Sequence, residues 1–196
     1  CTAENGRVTG VQLNDGRTIP ADMVIIGVGV TPNVELCEGT PIELDDGIVV
    51  NEYLETNTPG IYAVGDVARY RDQIYGMTKR VEHWDNAYNQ GEYVVGNMMG
   101  QQQPFEHVPY FFSDLFKLSY EYWGYPELAD NAVHRGDVSK GRFSTWWFND
   151  GRVCAAFVMN RPDEEAELAE QWIAERARIN PELLRDDSQP LKEKIR

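Results

Sequence analysis

The stretch Thr58-Pro59-Gly60-Ile61-Tyr62-Ala63-Val64-Gly65-Asp66 constrains the fold more than any other part of the chain. A Pro-Gly turn leads into a short apolar run of small and β-branched residues, and the run ends in a glycine followed by a carboxylate. Such a strand sets Gly-Asp at the carboxyl edge of a sheet, where open α/β sheets bind ligands. The glycine lets backbone approach a ligand closely. The Asp, acceptor-only when ionised, suits the paired hydroxyls of a sugar or polyol chain. Taken alone, the residues are equally consistent with a strand that simply stops at a Gly-Asp turn.

The flanking segments point to an α/β chain. Arg7 to Leu13 alternates apolar and polar residues, and Asn14-Asp15-Gly16 turns it into Arg17-Thr18-Ile19, a hairpin signature. Met23-Val24-Ile25-Ile26-Gly27-Val28-Gly29 is continuously apolar, as expected of a strand buried on both faces. Ile48-Val49-Val50 is expected to pair with Ile61 to Val64, and Ala68 to Thr78 reads as a loop of about ten residues. A helix follows, with Val81, Trp84, Tyr88, Gly91, Val95 and Met98 at three- and four-residue steps, a stripe expected to face the core. Glu82, His83 and Trp84 fall in its first turn, where free N–H groups and the helix dipole favour negative charge.

Beyond a linker at 101–104 the composition becomes aromatic, from Val108 to Gly124, and most of these rings are expected to pack. Arg142 to Phe148 and Arg152 to Met159 flank Asn149-Asp150-Gly151, a second hairpin. Asp163, Glu164 and Glu165 open a helix running through Leu168, Ala169, Trp172 and Ile173, which Asn180-Pro181 is expected to stop. The tail is expected to dock only through Leu183 and Leu184.

Of 196 residues, 32 are acidic and 18 basic, a formal charge of -14 that argues against a nucleic-acid partner. No apolar run approaches the roughly 18 residues of a membrane helix, so no membrane span is expected. Cys1, Cys37 and Cys154 form no dithiol motif, which suits reduced thiols in the cytoplasm, with Cys154 as a small core hydrophobe. His83, His107 and His134 show no ligand spacing, so no metal site is expected. Opening at Cys1 in a strand-like context without an initiator Met, the chain reads as a fragment.

Four ordered motifs resemble the pyridine nucleotide-disulfide oxidoreductase superfamily, nearest the apoptosis-inducing factor and ferredoxin reductase-like branch. Gly27-Val28-Gly29-Val30-Thr31-Pro32-Asn33 resembles the "GxGxxPN" turn of its NAD-binding domain. Asn57 to Asp66 resembles its second flavin-binding motif. Arg80-Val81-Glu82-His83-Trp84-Asp85-Asn86-Ala87 resembles the helix start beside the flavin. Phe111-Phe112-Ser113-Asp114 with Tyr120-Glu121-Tyr122-Trp123-Gly124 resembles the "PxFWSD" and "YExxG" signatures of the C-terminal domain. The family's tryptophan is Phe112 here, which keeps a flat apolar face and loses the indole N–H.

The resemblance implies an α/β FAD/NAD(P)-binding fragment of a two-dinucleotide-binding-domain flavoprotein, followed by an α+β C-terminal reductase domain. The expected domains are 1–33, the end of the NAD(P)H-binding domain; 34–100, the closing half of the FAD-binding domain; and 101–196, the C-terminal interface domain. The implied cofactors are FAD and NAD(P)H, and the implied reaction is hydride transfer from NAD(P)H to FAD with electrons then passed to a ferredoxin- or rubredoxin-type acceptor. By resemblance, Gly65 and Asp66 meet the ribityl chain, His83 and Trp84 the isoalloxazine edge, Phe112 its face, and Gly29, Glu82 and Glu121 the NAD(P)H. A helix N-terminus at that edge would stabilise the charge of reduced flavin. No side chain is expected to act as catalytic acid, base or nucleophile. Two other readings stay open: a non-catalytic module for interaction or homodimerisation, and a dithiol reductase with its cysteine pair upstream.

Overall fold

In the computed structural model, which describes residues 1–188 and 190–194, the chain divides into two compact units, Cys1–Thr31 and Pro32–Arg196. The first is a meander. Strands β1 (Thr2–Glu4), β2 (Arg7–Gln12) and β3 (Thr18–Pro20) pair antiparallel in sequence order, with Val11 opposite Ile19, so the Asn14-Asp15-Gly16 turn is found where expected. The apolar run behind it departs from expectation. Residues 23–30 form no strand, and Met23, Ile25, Ile26, Val28 and Val30 are 67–90% exposed. A doubly buried strand needs ladder partners on both edges, and the sheet of this unit ends at β3.

The second unit opens on a three-stranded sheet whose pairing differs from the sequence reading. Strand β4 (Ile48–Val49) runs parallel to β5 (Ala68–Arg71), with Ile48 opposite Ala68. Segment 61–64 makes only an isolated bridge, Tyr62 to Glu55, because its backbone bonds are taken by the nearby 54–56 segment: Thr56 N donates to the Ile61 carbonyl and Ala63 N to that of Leu54. The expected loop from Ala68 is instead a hairpin, β5 paired antiparallel with β6 (Thr78–Arg80), its turn closed by Asp72 accepting from the Tyr75 N–H. Leu54, Ala68, Tyr70, Val81 and Phe105 form the core beneath.

Helix α1 (Trp84–Met98) presents the opposite face to the one its apolar stripe suggests. Asn86, Gln90, Val94 and Asn97 are buried, whereas Trp84, Tyr88, Val95 and Met98 are 52–74% exposed. The polar side chains are drawn inward by specific partners. Tyr70 donates to Asn86 Oδ1, the Gly65 N–H to Gln90 Oε1, and Asn97 Nδ2 to the Tyr53 and Gln103 carbonyls.

A five-stranded antiparallel sheet follows, in the order β7-β8-β11-β10-β9: β7 (Tyr110–Leu115), β8 (Leu118–Gly124), β9 (Asn131–Asp137), β10 (Arg142–Asn149) and β11 (Arg152–Met159). Its Asn149-Asp150-Gly151 hairpin is as read from sequence, with a register shift after Trp147; β9 carries no sequence signal. Leu115 and Leu118 pair across a two-residue turn that holds Phe116 at φ 57° and fully exposed. Helix α2 (Asp163–Ala174) covers one face, packing Leu168, Trp172 and Ile173 on Trp146, Phe148 and Val158. Asn180-Pro181 starts helix α3 (Pro181–Arg185), Asn180 accepting from the Glu182 N–H. The tail docks through Leu184 and, from α4 (Leu191–Lys194), Leu191, both buried, while Leu183 is 39% exposed, a correction to the expected pair. Buried Arg135 on β9 fastens it, donating to Glu165 Oε1 and to the Leu184 and Asp186 carbonyls. Gln189, Ile195 and Arg196, on which part of the tail reading falls, lie outside the described residues.

Candidate functional site

The second unit brings the Gly65-Asp66 turn against the start of α1. Gly65–Val67 is a single 3-10 turn, and Gly65 sits at φ 78°, a left-handed conformation that glycine adopts without a Cβ penalty. Its N–H donates to Gln90 Oε1 at 2.7 Å, and a Cβ would lie 3.5 Å from that of Ala87. Arg80 holds the turn from the other side. Its guanidinium donates to the Asp66 carbonyl at 2.9 Å, to Glu82 Oε1 at 2.5 Å and to Asp46 Oδ1 at 3.3 Å. Gly47 makes room for this arrangement, because a Cβ there would stand 2.5 Å from the Val67 carbonyl oxygen at φ 123°. Sequence reasoning assigns no role to Gly47, Arg80, Asn86 or Gln90. Arg80 could have been found as the basic residue beside an acid-rich helix start; the inward turn of two amides leaves no periodic signal.

Asp66 is exposed, and its carboxylate accepts no hydrogen bond from the described residues. His83 is the N-cap of α1, with its Nδ1 buried and without a hydrogen-bond partner and its ring 5.2 Å from that of Phe111. Burial holds the imidazole below its ordinary pKa, against the charges of Asp85 and Asp66. Trp84, 74% exposed, stacks on Tyr88 with centroids 5.4 Å apart. Glu82 is exposed and bound to Arg80.

Phe112 and Glu121 are direct cross-strand partners on β7 and β8. Phe112 is 55% exposed and stacks on Tyr110, whose phenol donates to Glu121 Oε1 at 2.7 Å. Burial raises the Tyr110 phenol above its ordinary pKa, assisted by Glu121 and then Asp85. Gly29, at φ 96° with open space where a Cβ would stand, belongs to the first unit. Among the described residues, no group of His, Cys, Asp or Glu has the grouping of a metal site, and no helix is long and apolar enough to cross a membrane. All three cysteines are free thiols.

A left-handed glycine, an acceptor-only carboxylate and a buried imidazole nitrogen, gathered at a helix N-terminus, fit a ligand that offers hydroxyl donors and a polar ring edge. Buried Asn86 Nδ2 and Gln90 Nε2 also lack hydrogen-bond partners on the same side of α1.

Residues 1–91 match the family model described as pyridine nucleotide-disulphide oxidoreductase, and 110–195 match that described as reductase C-terminal. Among curated proteins, putidaredoxin reductase CamA of Pseudomonas putida is 37% identical over 194 residues, 99% of this chain and 46% of that protein. Monodehydroascorbate reductase 3 of Arabidopsis thaliana is 36% identical, over 92% of this chain and 42% of that protein. Among solved structures, the ferredoxin reductase of a Rhodopseudomonas palustris system superposes with a TM-score of 0.91 at 34% identity, covering 98% of this chain and 47% of that one. The reductase in a covalent putidaredoxin reductase–putidaredoxin complex gives 0.88 at 37%, covering 95% and 45%. The chain thus spans about half the length of the relatives it matches. With the two family models matching in order across most of its length, the chain belongs to the pyridine nucleotide-disulphide oxidoreductase superfamily, in its ferredoxin reductase-like branch.

Proposed function

We propose that this chain is the C-terminal part of an FAD-dependent NAD(P)H:acceptor oxidoreductase that delivers electrons to a ferredoxin-like protein. The observation that carries the reading is the Gly65-Asp66 turn, clamped between Gln90 and Arg80 at the N-terminus of α1. FAD, when bound, supplies the hydride acceptor and the store from which electrons leave; the protein's part is to hold and orient it. Asp66 binds the ribityl hydroxyls, with Gly65 allowing close approach. His83 and Trp84 meet the isoalloxazine edge, where the free N–H groups of α1 favour negative charge. Phe112 lies over the ring face, and Gly29, Glu82 and Glu121 serve NAD(P)H. Arg80 keeps Glu82 and the Asp66 backbone in fixed relation. The domain assignment is 1–33, 34–100 and 101–196, and three reduced thiols support a cytoplasmic setting.

The test is a visible spectrum of the full-length enzyme that contains this chain and of its Asp66→Ala variant. The parent is expected to show flavin bands that bleach on anaerobic addition of NADH or NADPH, and the variant to purify with most of its flavin lost. A variant with the parent's flavin content would remove Asp66 from the site. The putidaredoxin complex supports a protein acceptor of the ferredoxin type.

A further inference from the structure

We propose that Arg135 and Arg161 form a binding site for a small organic monocarboxylate, kept closed by the chain's own Asp187. The site lies in the C-terminal sheet and tail and stands apart from the reductase reading.

A buried charge count defines it. The side chains of Arg135, Arg161 and Glu165 are 3%, 10% and 4% exposed. Glu165 Oε1 accepts from Arg135 Nε at 3.0 Å and from Arg161 Nη2 at 2.6 Å, and its Oε2 accepts from the Ser144 hydroxyl at 2.5 Å. Two guanidiniums against one carboxylate leave the group with a single net positive charge. Charge held this far from water is costly without a counterion, so the place calls for one monoanion.

Asp187 supplies that charge from the surface. Arg161 Nη1 donates to its Oδ2 at 3.2 Å and Nη2 to its Oδ1, the two-bond fork by which arginine recognises carboxylates, and Arg135 Nη2 stands 3.4 Å from Oδ1. Yet Asp187 is 42% exposed and rides on the short turn between α3 and α4. Arg135 also holds the Leu184 and Asp186 carbonyls, and Leu184 and Leu191 are buried on either side. Exchange therefore needs only the Asp187 side chain to turn outward while the tail stays docked.

The surroundings set the class of ligand. A cavity of about 400 Å³ adjoins the fork, roomier than a carboxylate needs, and its walls include Pro162, Pro190 and Leu191. These suit a short hydrocarbon body. Glu164 lies on the same wall and accepts from the Lys192 N–H at 2.6 Å, so a second negative charge on the ligand meets repulsion there. A phosphate dianion would overshoot the single positive charge, whereas a monocarboxylate matches it.

The experiment is calorimetric titration of the full-length enzyme that contains this chain, with butyrate and inorganic phosphate as probes. Asp187→Ala, which opens the fork, is expected to bind butyrate at least about tenfold tighter than the parent does, the scale of one charge-assisted hydrogen-bonded pair. Phosphate is expected to bind the variant more weakly than butyrate. Asp187→Asn keeps the side chain's shape without its charge and is expected to gain in the same direction, so a poorly folded alanine variant does not decide the matter. Adding Arg161→Gln to either variant is expected to abolish the gain. Butyrate affinity unchanged from the parent in both variants, a gain that survives Arg161→Gln, or phosphate bound more tightly than butyrate would each overturn the proposal. Binding is read without turnover, so an enzyme that never reduces its flavin would sink the reductase reading and leave this result intact.

Discussion

The ammonium of Lys79 lies 3.4 Å from the ring centre of Tyr125 and 2.6 Å from Asp72 Oδ2. Lys79 and Asp72 belong to the β5–β6 hairpin region and Tyr125 follows β8, so one buried cation joins the three-stranded β4–β6 sheet to the five-stranded sheet. Tyr75 reinforces the junction, its phenol donating to the Cys154 carbonyl on β11 at 2.9 Å. Lys79→Met should destabilise the protein by about 3 kcal/mol or more, since it leaves Asp72, 2% exposed, as an uncompensated buried charge. Urea unfolding checks this. The double variant Lys79→Met with Asp72→Leu should recover much of the loss, and an equally unstable double variant would show that ring packing, and not the charge pair, governs the junction.

The same cluster sets a pH dependence. Burial lowers the Lys79 ammonium from its ordinary 10.5 to about 8, against the opposing pull of Asp72. Between these values the unfolded chain holds the proton more tightly than the folded one, so stability from this group rises with pH across that window. Burial raises the phenols of Tyr70 and Tyr75 above their ordinary 10.0, so the unfolded chain ionises first and stability falls above about pH 10. Thermal melts should therefore show stability gained above pH 8 and lost again beyond pH 10. In Lys79→Met the gain should vanish while the loss remains.

Gly47→Ala should damage cofactor retention. The new methyl would meet the Val67 carbonyl oxygen at 2.5 Å and the Arg80 side chain at 2.9 Å, from a backbone position at φ 123° that L-residues avoid. The turn carrying Asp66 must then move. Flavin content on purification should fall well below that of the parent, and a cofactor-replete Gly47→Ala protein would show that the turn tolerates displacement.

Gln90→Leu separates the two roles of its amide. It deletes a buried Nε2 without a hydrogen-bond partner and also the acceptor of the Gly65 N–H. Losing the first is favourable and losing the second costs about 1–3 kcal/mol, so global stability should drop only modestly. The larger effect should be local, with faster amide exchange at Gly65 by hydrogen–deuterium mass spectrometry.

Arg135→Met should release the C-terminal tail before it unfolds the sheet. Arg135 and Glu165 are both 3% exposed, and Arg161 remains to neutralise Glu165 through a 2.6 Å contact, so the core charge keeps one partner. The carbonyls of Leu184 and Asp186 lose their donor. Limited proteolysis should cut near residues 184–187 in the variant while the parent resists.

The parts of the fold that are legible in sequence are those whose signal is local. Asn14-Asp15-Gly16 and Asn149-Asp150-Gly151 demand left-handed turns and so announce their hairpins, and Gly65-Asp66 announces its turn in the same way. What cannot be read there depends on distant partners. The stripe of Trp84, Tyr88, Val95 and Met98 has helical period but the wrong face, because Tyr70 and the Gly65 N–H draw Asn86 and Gln90 inward. The Met23–Gly29 run reads as a strand, yet a parallel strand is specified by neighbours that its own residues do not encode. Ala68 to Thr78 reads as irregular because its hairpin closes over a six-residue turn at 72–77, held by Asp72 and a left-handed Gly76, and not over a two-residue Asn-Gly or Asp-Gly turn.

Phe116 stands at the tip of the β7–β8 hairpin, fully exposed and in a backbone conformation that asparagine or glycine would hold with less strain. It touches no part of either core, so solubility work can begin there. Phe116→Gly would relieve the turn and remove the ring most available for sticking to other molecules in a concentrated sample. For the same reason a cysteine at 116 would give a spin label or dye a mount on a stiff two-stranded arm, reporting on whatever approaches that end of the sheet.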